Sequence, residues 1–201
     1  MKIKFFSFLM AAGFAALMFS GCSKMPQAEI DSAKAAIDSA KFAGANVYLP
    51  EALMELEDSL EAVMVNLESQ SSKFIKNYGE VKEQLEKVTV FAHEVQDRTL
   101  AVKEEMKAET QAIIAEVNTV IAENKNLVLQ APKGKEGTSA LQAIKSEIAT
   151  IETHVIDAVS LYDNDDIMGA HTKALAAKDK AMSINEELKT VIAKYKGATR
   201  K

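Results

Sequence analysis

The sequence predicts an all-α fold, an elongated antiparallel helical bundle or coiled coil of five helices with a long shared central helix. The 201 residues include only 8 Gly and 3 Pro and no Trp, a composition typical of helical proteins rather than β-sandwiches or barrels. After residue 28, apolar residues recur every three or four positions. This spacing places one apolar stripe on each helix and favours left-handed supercoiled packing.

The first 21 residues have the layout of a secretory signal peptide. Lys2 and Lys4 form a positive start, and no charged residue occurs from Phe5 to Gly21. This apolar run is shorter than the ~20 residues that a membrane-spanning helix usually needs. It closes on the small residues Ser20 and Gly21, as expected of a peptidase cleavage site.

The end of this segment, Phe19-Ser20-Gly21-Cys22, resembles a lipobox, the site of lipoprotein signal peptidase. The chemistry needs a thiol that accepts a diacylglyceryl group and small residues that enter the protease. The resemblance implies cleavage between Gly21 and Cys22 and a lipid, such as palmitate, on Cys22. Phe19 departs from the aliphatic residue usual in that motif. The alternatives are an uncleaved membrane anchor and an ordinary signal peptide with an incidental cysteine.

Residues 22–27 would form a short lipidated linker after cleavage. Loss of Lys2 and Lys4 changes the formal net charge of the chain from −5 to −7. Because binding to phosphates needs a basic surface, we do not expect a nucleic-acid partner.

Cys22 is the only cysteine, which excludes an intramolecular disulfide. Ser23 follows it, and by resemblance to enteric sorting rules this favours the outer membrane, facing the periplasm.

Five segments with helical apolar spacing follow, separated by Pro, Gly or polar turns. An apolar face at this spacing must find a partner face, so these stripes are predicted core positions. The stripes are Ile30, Ala33, Ile37, Ala40, Gly44 and Val47; Leu53, Leu56, Leu60, Val63 and Leu67; Val81, Leu85, Val88, Ala92, Val95, Thr99, Val102 and Met106, then Ile113, Val117, Val120 and Leu127; Leu141, Ile144, Ile148, Ile151, Val155, Val159 and Tyr162; and Ile167, Ala170, Ala174, Ala177, Ala181, Ile184, Leu188, Val191 and Tyr195.

The third segment predicts an unbroken helix of about residues 79–128, which at ~1.5 Å per residue is ~75 Å long. The two helices on either side are each about half that length. One long helix would therefore complete an N-terminal three-helix bundle of residues 28–106 and a C-terminal three-helix bundle of residues 107–197. Glu109 interrupts the stripe near this joint. Shared periodicity leaves open whether the two bundles are a duplication.

Residues 28–95 combine a helix of spaced alanines with Gly44-Ala45, Tyr48, Pro50-Glu51 and a turn near Tyr78. This combination resembles a family of bacterial lipoproteins catalogued only as a domain of unknown function. It covers about a third of the chain and departs at Leu49, where the family usually has Ala. The resemblance implies an α-helical envelope lipoprotein and no activity.

The remaining motifs do not complete a catalytic or metal site. His93 and Asp97 have the spacing of two ligands on a zinc-protease helix, but the second His and a third ligand are missing. The cluster Asp163-Asn164-Asp165-Asp166 lacks the Gly and Glu of an EF-hand loop, and helix capping explains it. Pro132, Gly134 and Gly137 predict a solvated loop over Ala131–Ser139. We therefore expect no enzyme activity, no catalytic residues, no metal and no cofactor.

The C-terminus is basic and ends in Lys194-Tyr195-Lys196-Gly197-Ala198-Thr199-Arg200-Lys201. It resembles the tail of the small helical outer-membrane lipoprotein that is joined covalently to peptidoglycan, which implies linkage through Lys201. The alternative is a frayed helix end whose positive charges suit the helix dipole.

A lipid anchor followed by long helices favours a non-enzymatic scaffold, spacer or adaptor in the cell envelope. Its partners would be membrane lipid, through the N-terminal acyl anchor, and an envelope protein or a second copy of the chain. Two alternatives stay open. One is a chaperone-like groove between helices that binds an apolar ligand or peptide, and the other is a peptidoglycan tether through Lys201.

Overall fold

Helices form nearly all of the chain that the structure describes. A computed structural model describes residues 24–132 and 135–198. Its helices are α1 (Gln27–Phe42), α2 (Ala45–Tyr48), α3 (Pro50–Ser71), α4 (Gly79–Gln130), α5 (Lys135–Asp163) and α6 (Ile167–Ala198). These two ranges contain no strand, so the predicted all-α fold is confirmed. The predicted long central helix is α4, which is 52 residues long.

The chain turns between α1 and α3 through Gly44. Its φ is 100°, in the left-handed region, and a Cβ there would lie 3.1 Å from the Tyr48 ring. A left-handed φ is incompatible with a continued α-helix, and residues other than glycine rarely adopt it. α1 therefore ends at Phe42, just before Gly44, and the extra short helix α2 follows. Val47, predicted as a core position, is 45% exposed beyond this break. Pro50 then occupies the first turn of α3, where its missing N–H costs nothing.

Packing divides the chain into two compact units, and the division falls within α4. Unit 1 ends at Thr99 and unit 2 begins at Leu100. The sequence places the joint a few residues later on the same helix, at 106–107. α4 contributes its apolar stripe to both cores, with Val81, Leu85, Val88, Ala92 and Val95 in unit 1 and Ile113, Val117, Ile121 and Val128 in unit 2.

In unit 1, α1 and α4 run parallel and α3 runs antiparallel to both. Lys82 of α4 pairs with Glu29 near the start of α1, at 2.7 Å. Asn66 near the end of α3 donates to Gln84 near the start of α4, at 2.9 Å. The buried side chains contributed by α1 and α3 are Ile30, Ala33, Ala36, Ile37, Ala40, Leu53, Leu56, Val63 and Leu67.

In unit 2, α5 runs antiparallel to both α4 and α6. Ion pairs cross every boundary, including Lys125–Glu152, Lys178–Glu116 and Lys173–Asp157. α6 faces the core with alanines that are at most 1% exposed: Ala170, Ala174, Ala177 and Ala181. Such small side chains let helix axes approach closely, although each buries little apolar area.

Several details of the predicted helices are wrong, and one is the predicted core residue Tyr195, which is 53% exposed. Near the ends of α5 and α6 the buried positions are Ala158 and Ile192 instead of Val159 and Val191, which are 39% and 42% exposed. A straight helix has 3.6 residues per turn, so a strict 3.5 spacing drifts off the buried face. The predicted loop at 131–139 is also too long, because α5 begins at Lys135. A glycine costs only about 1 kcal/mol within a helix and does not by itself end one.

Ala177 tests the close packing of α6. We expect Ala177→Leu to destabilise unit 2 by about 1–3 kcal/mol, because extra methylene groups in a filled core force side chains and backbone apart. Urea unfolding followed by circular dichroism measures this. Ala176→Leu is the matched control, since the neighbouring Ala176 is exposed and its replacement should change stability little. Equal stability of the two variants would contradict this packing.

Candidate functional site

The predicted lipid-attachment and cleavage residues, Cys22 and Gly21, lie outside the described residues, as does Lys201. The described chain starts two residues after Cys22, and Pro26 is already fully buried. The Pro26 carbonyl accepts a hydrogen bond from the N–H of Ile30 at 3.0 Å. Four extended residues span at most ~14 Å. A lipid on Cys22 would therefore hold the start of α1 within that distance of its attachment point.

The loop between α3 and α4, residues 72–78, lies at the same end of unit 1 as Pro26. Tyr78 is 3% exposed and fixes the loop to the core. The Asn77 side-chain oxygen accepts a hydrogen bond from the N–H of Gly79 at 3.0 Å and so caps α4. In contrast, Phe74 and Ile75 project from the loop and are 103% and 81% exposed. This exposed apolar pair has no counterpart in the predicted stripes.

A groove of about 300 Å³ runs between α4 and α5 in unit 2. Val128, Leu129 and Ile148 are its apolar lining residues, and its polar lining residues are Lys125, Asn126, Lys145 and Glu152. Lys125 is paired with Glu152 at 2.6 Å. Leu129 is 72% exposed. The apolar lining with Lys145 beside it suits an apolar chain with a negatively charged end, a narrower class than the apolar ligand or peptide named in the sequence analysis.

A buried polar network joins α4 to α6. Asn124 is 0% exposed and donates to the Ala181 carbonyl at 2.7 Å, and Asn185 donates to the side-chain oxygen of Asn124 at 2.8 Å. Beside them, a hydrogen bond from Lys189 lowers the pKa of Glu123, with a further contribution from Asn185. Burying an amide side chain without hydrogen-bond partners costs free energy. The network therefore favours the one register of α4 and α6 in which both amides are hydrogen-bonded. It was missed in the sequence, although Asn124 falls between Ile121 and Val128 at core spacing.

A second polar cluster holds the α5–α6 turn against α4. Asp165 adopts a φ of 64°, and its carboxylate bonds with Lys103 and, at 3.4 Å, with Lys107. The hydrogen bond from Lys103 is the main cause that lowers the Asp165 pKa, and Lys107 adds to it. Asp166 accepts a hydrogen bond from the N–H of Gly169 at 3.0 Å, so the predicted capping role of this acidic cluster is confirmed.

The histidines form no ligand set with the acidic residues that the structure describes. His93 and Asp97 are both exposed on α4. On α6, Nε2 of His171 lies 3.3 Å from a carboxylate oxygen of Glu109, in a geometry that makes no hydrogen bond. Among the described residues, no group of three or more His, Cys, Asp or Glu side chains is placed to hold a metal ion.

Within residues 24–132 and 135–198, no helix combines the length and apolar character needed to cross a membrane.

Comparisons of the chain with protein-family models, curated proteins and solved structures found no match. The resemblance of residues 28–95 to a lipoprotein family stays a prediction based on the residues given above.

The ion pairs predict how stability depends on pH. The pKa values of Asp165, Asp157 and Glu123 are lowered in the folded protein, chiefly by hydrogen bonds from Lys103, Lys173 and Lys189. A carboxyl group whose pKa is lower in the folded than in the unfolded protein stabilises the fold at pH values above its unfolded pKa of about 4. This stabilisation is lost as the pH falls from about 4 through the folded pKa. We expect the urea midpoint to be lower at pH 3 than at pH 7.

Asp165→Asn should lower the urea midpoint at pH 7 and reduce its further drop at pH 3, because the charge that titrates is gone. Asp179→Asn is the control, since Asp179 is exposed on α6 and has no ion pair among the described residues. An unchanged pH dependence in Asp165→Asn would contradict a contribution from this cluster.

Proposed function

We propose that this protein is a lipoprotein of the bacterial cell envelope, anchored through acylated Cys22, whose helical units act as a non-enzymatic scaffold or adaptor. Ser23 after the acylated cysteine favours the outer membrane, with the helices in the periplasm. The order of features in the chain carries the proposal. A positive, apolar segment ends in Ser20-Gly21-Cys22, and Pro26, four residues after Cys22, is already fully buried.

The polar contacts support a structural role. The ion pairs Lys125–Glu152, Lys173–Asp157 and Lys178–Glu116 of unit 2 each connect one helix to another. The buried amides of Asn124 and Asn185 do the same. These groups are used in holding helices in register. A lipid end suits such a scaffold, because two or three acyl chains anchor a protein stably where one chain does so only marginally.

Mass spectrometry of the protein isolated from bacterial membranes tests the anchor. We expect the N-terminal peptide to begin at Cys22 and to carry the mass of a diacylglyceryl group with or without an added acyl chain. The same digest of lysozyme-treated cell wall would reveal muropeptide on Lys201 if the peptidoglycan tether exists.

Cys22→Ala is the control for this measurement. It removes the thiol that accepts lipid. The variant should therefore keep residues 1–21, and mass spectrometry should find no lipid on its N-terminal peptide. An unmodified Cys22, or cleavage at another residue in the unsubstituted protein, would contradict the proposed anchor.

The groove between α4 and α5 supports a second candidate function, binding of an apolar ligand with an acidic end. A fluorescent fatty acid is the probe. Leu129→Asp should weaken its binding about tenfold, since one large apolar contact is lost and a negative charge is added. Leu175→Asp is the control, because Leu175 is partly exposed in unit 2 but does not line the groove. Equal binding by both variants would exclude this groove as the site.

A further inference from the structure

The loop of residues 72–78 exposes two adjacent apolar side chains while its own ends are held in place. Phe74 and Ile75 are 103% and 81% exposed, whereas Tyr78 is buried in the unit 1 core. The N–H of Ser72 donates to the Glu68 carbonyl at 3.1 Å, which continues the end of α3. Since both ends of the loop are fixed, its tip presents the apolar pair outward. Two adjacent large apolar side chains on a fixed loop form a candidate contact surface.

The charge of this loop is opposite to that of the chain. Lys73 and Lys76 flank the apolar pair, and no acidic residue occurs from Ser69 to Gly79, although the whole chain has a net charge of −5. Lys73 donates to the Gln70 side chain at 3.1 Å, and neither lysine pairs with a carboxylate among the described residues. An apolar tip between two lysines is complementary to a bilayer surface with anionic headgroups.

The loop lies at the end of unit 1 that holds Pro26, four residues after the proposed lipid-attachment residue Cys22. The loop leads directly into α4, and Lys82 of α4 pairs with Glu29 in the first turn of α1. Pro26 lies at the same end of the unit, and Cys22 is four residues before it. Since four extended residues span at most ~14 Å, a lipid on Cys22 would keep this end of unit 1, and with it the loop, close to the bilayer.

We propose that this loop is a second membrane contact, in which Phe74 and Ile75 enter the lipid and Lys73 and Lys76 bind anionic headgroups. The proposal rests on the lipid anchor at Cys22, which sets the end of unit 1 that meets the bilayer. The lipid holds the protein on the membrane, and the loop orients unit 1 on it. A second copy of the chain covering the same apolar pair is the competing occupant.

The chain offers a matched control at the opposite end of unit 1. Phe42 is 97% exposed at the end of α1, which is 16 residues or about 24 Å from the end that carries Pro26. Its neighbour Lys41 is paired with Glu57. Phe42 and Phe74 are thus both almost fully exposed, and they differ in their predicted distance from the bilayer.

Fluorescence of a single indole tests the contact, because the chain contains no Trp. The full-length lipoproteins Phe74→Trp and Phe42→Trp are reconstituted into vesicles of phosphatidylethanolamine and phosphatidylglycerol. We expect a blue shift and quenching by brominated acyl chains for Phe74→Trp and solvent-like emission for Phe42→Trp. Adding Lys73→Glu and Lys76→Glu to Phe74→Trp should remove most of the quenching, with an unchanged circular dichroism spectrum.

Flotation of the same vesicles separates failure of the loop from failure of the anchor. If both variants float but the indole of Phe74→Trp stays solvent-like, the loop proposal is wrong and the anchor stands. If neither floats, the anchor is wrong and the loop proposal falls with it. If the indole of Phe74→Trp is shielded only as protein concentration rises, without lipid, a second copy covers the loop and the membrane contact is wrong.

Discussion

Burial of the apolar stripe of α4 is the interaction on which both units depend. The helices α1 and α3 of unit 1 and the helices α5 and α6 of unit 2 each present a stripe that needs a third partner, and α4 supplies it in both cases. Hydrophobic stabilisation is proportional to the area removed from water. Loss of helical structure in one half of α4 would therefore expose apolar surface in the core that this half completes.

The stripes contain many alanines, so each residue buries little apolar area. Stability therefore depends more on how closely the helices approach one another. Ala33 and Ala40 in unit 1 and Ala177 and Ala181 in unit 2 are fully buried. Close approach of the helix axes brings polar side chains near one another along the boundaries. The pairing of Asn124 with Asn185 and the ion pairs across the helices favour one register where apolar contacts alone discriminate less.

Periodicity in the sequence predicted the all-α fold and the long α4, because buried stripes at helical spacing leave few alternatives. Errors arose where a local conformation overrode the stripe, as at Gly44, or where drift along the helix moved burial by one residue, as at Ile192. Asn124 was missed because an amide at core spacing reads as a break in the stripe. The loop that contains Phe74 has no helical apolar spacing from which its exposure could be predicted. Phe74 is exposed in a loop whose other end is fixed by the buried Tyr78, which only the structure reveals.

The central claim of this account is that the end of unit 1 holding Pro26 and the loop of residues 72–78 faces the bilayer next to the proposed lipid on Cys22. Hydrogen–deuterium exchange of the membrane-purified protein, with and without anionic vesicles, tests it most directly. The account predicts slower exchange on vesicles at residues 24–25 and 72–78 and no change at residues 43–49, at the other end of the unit. Protection at 43–49 alone, or no protection at either end, would contradict it.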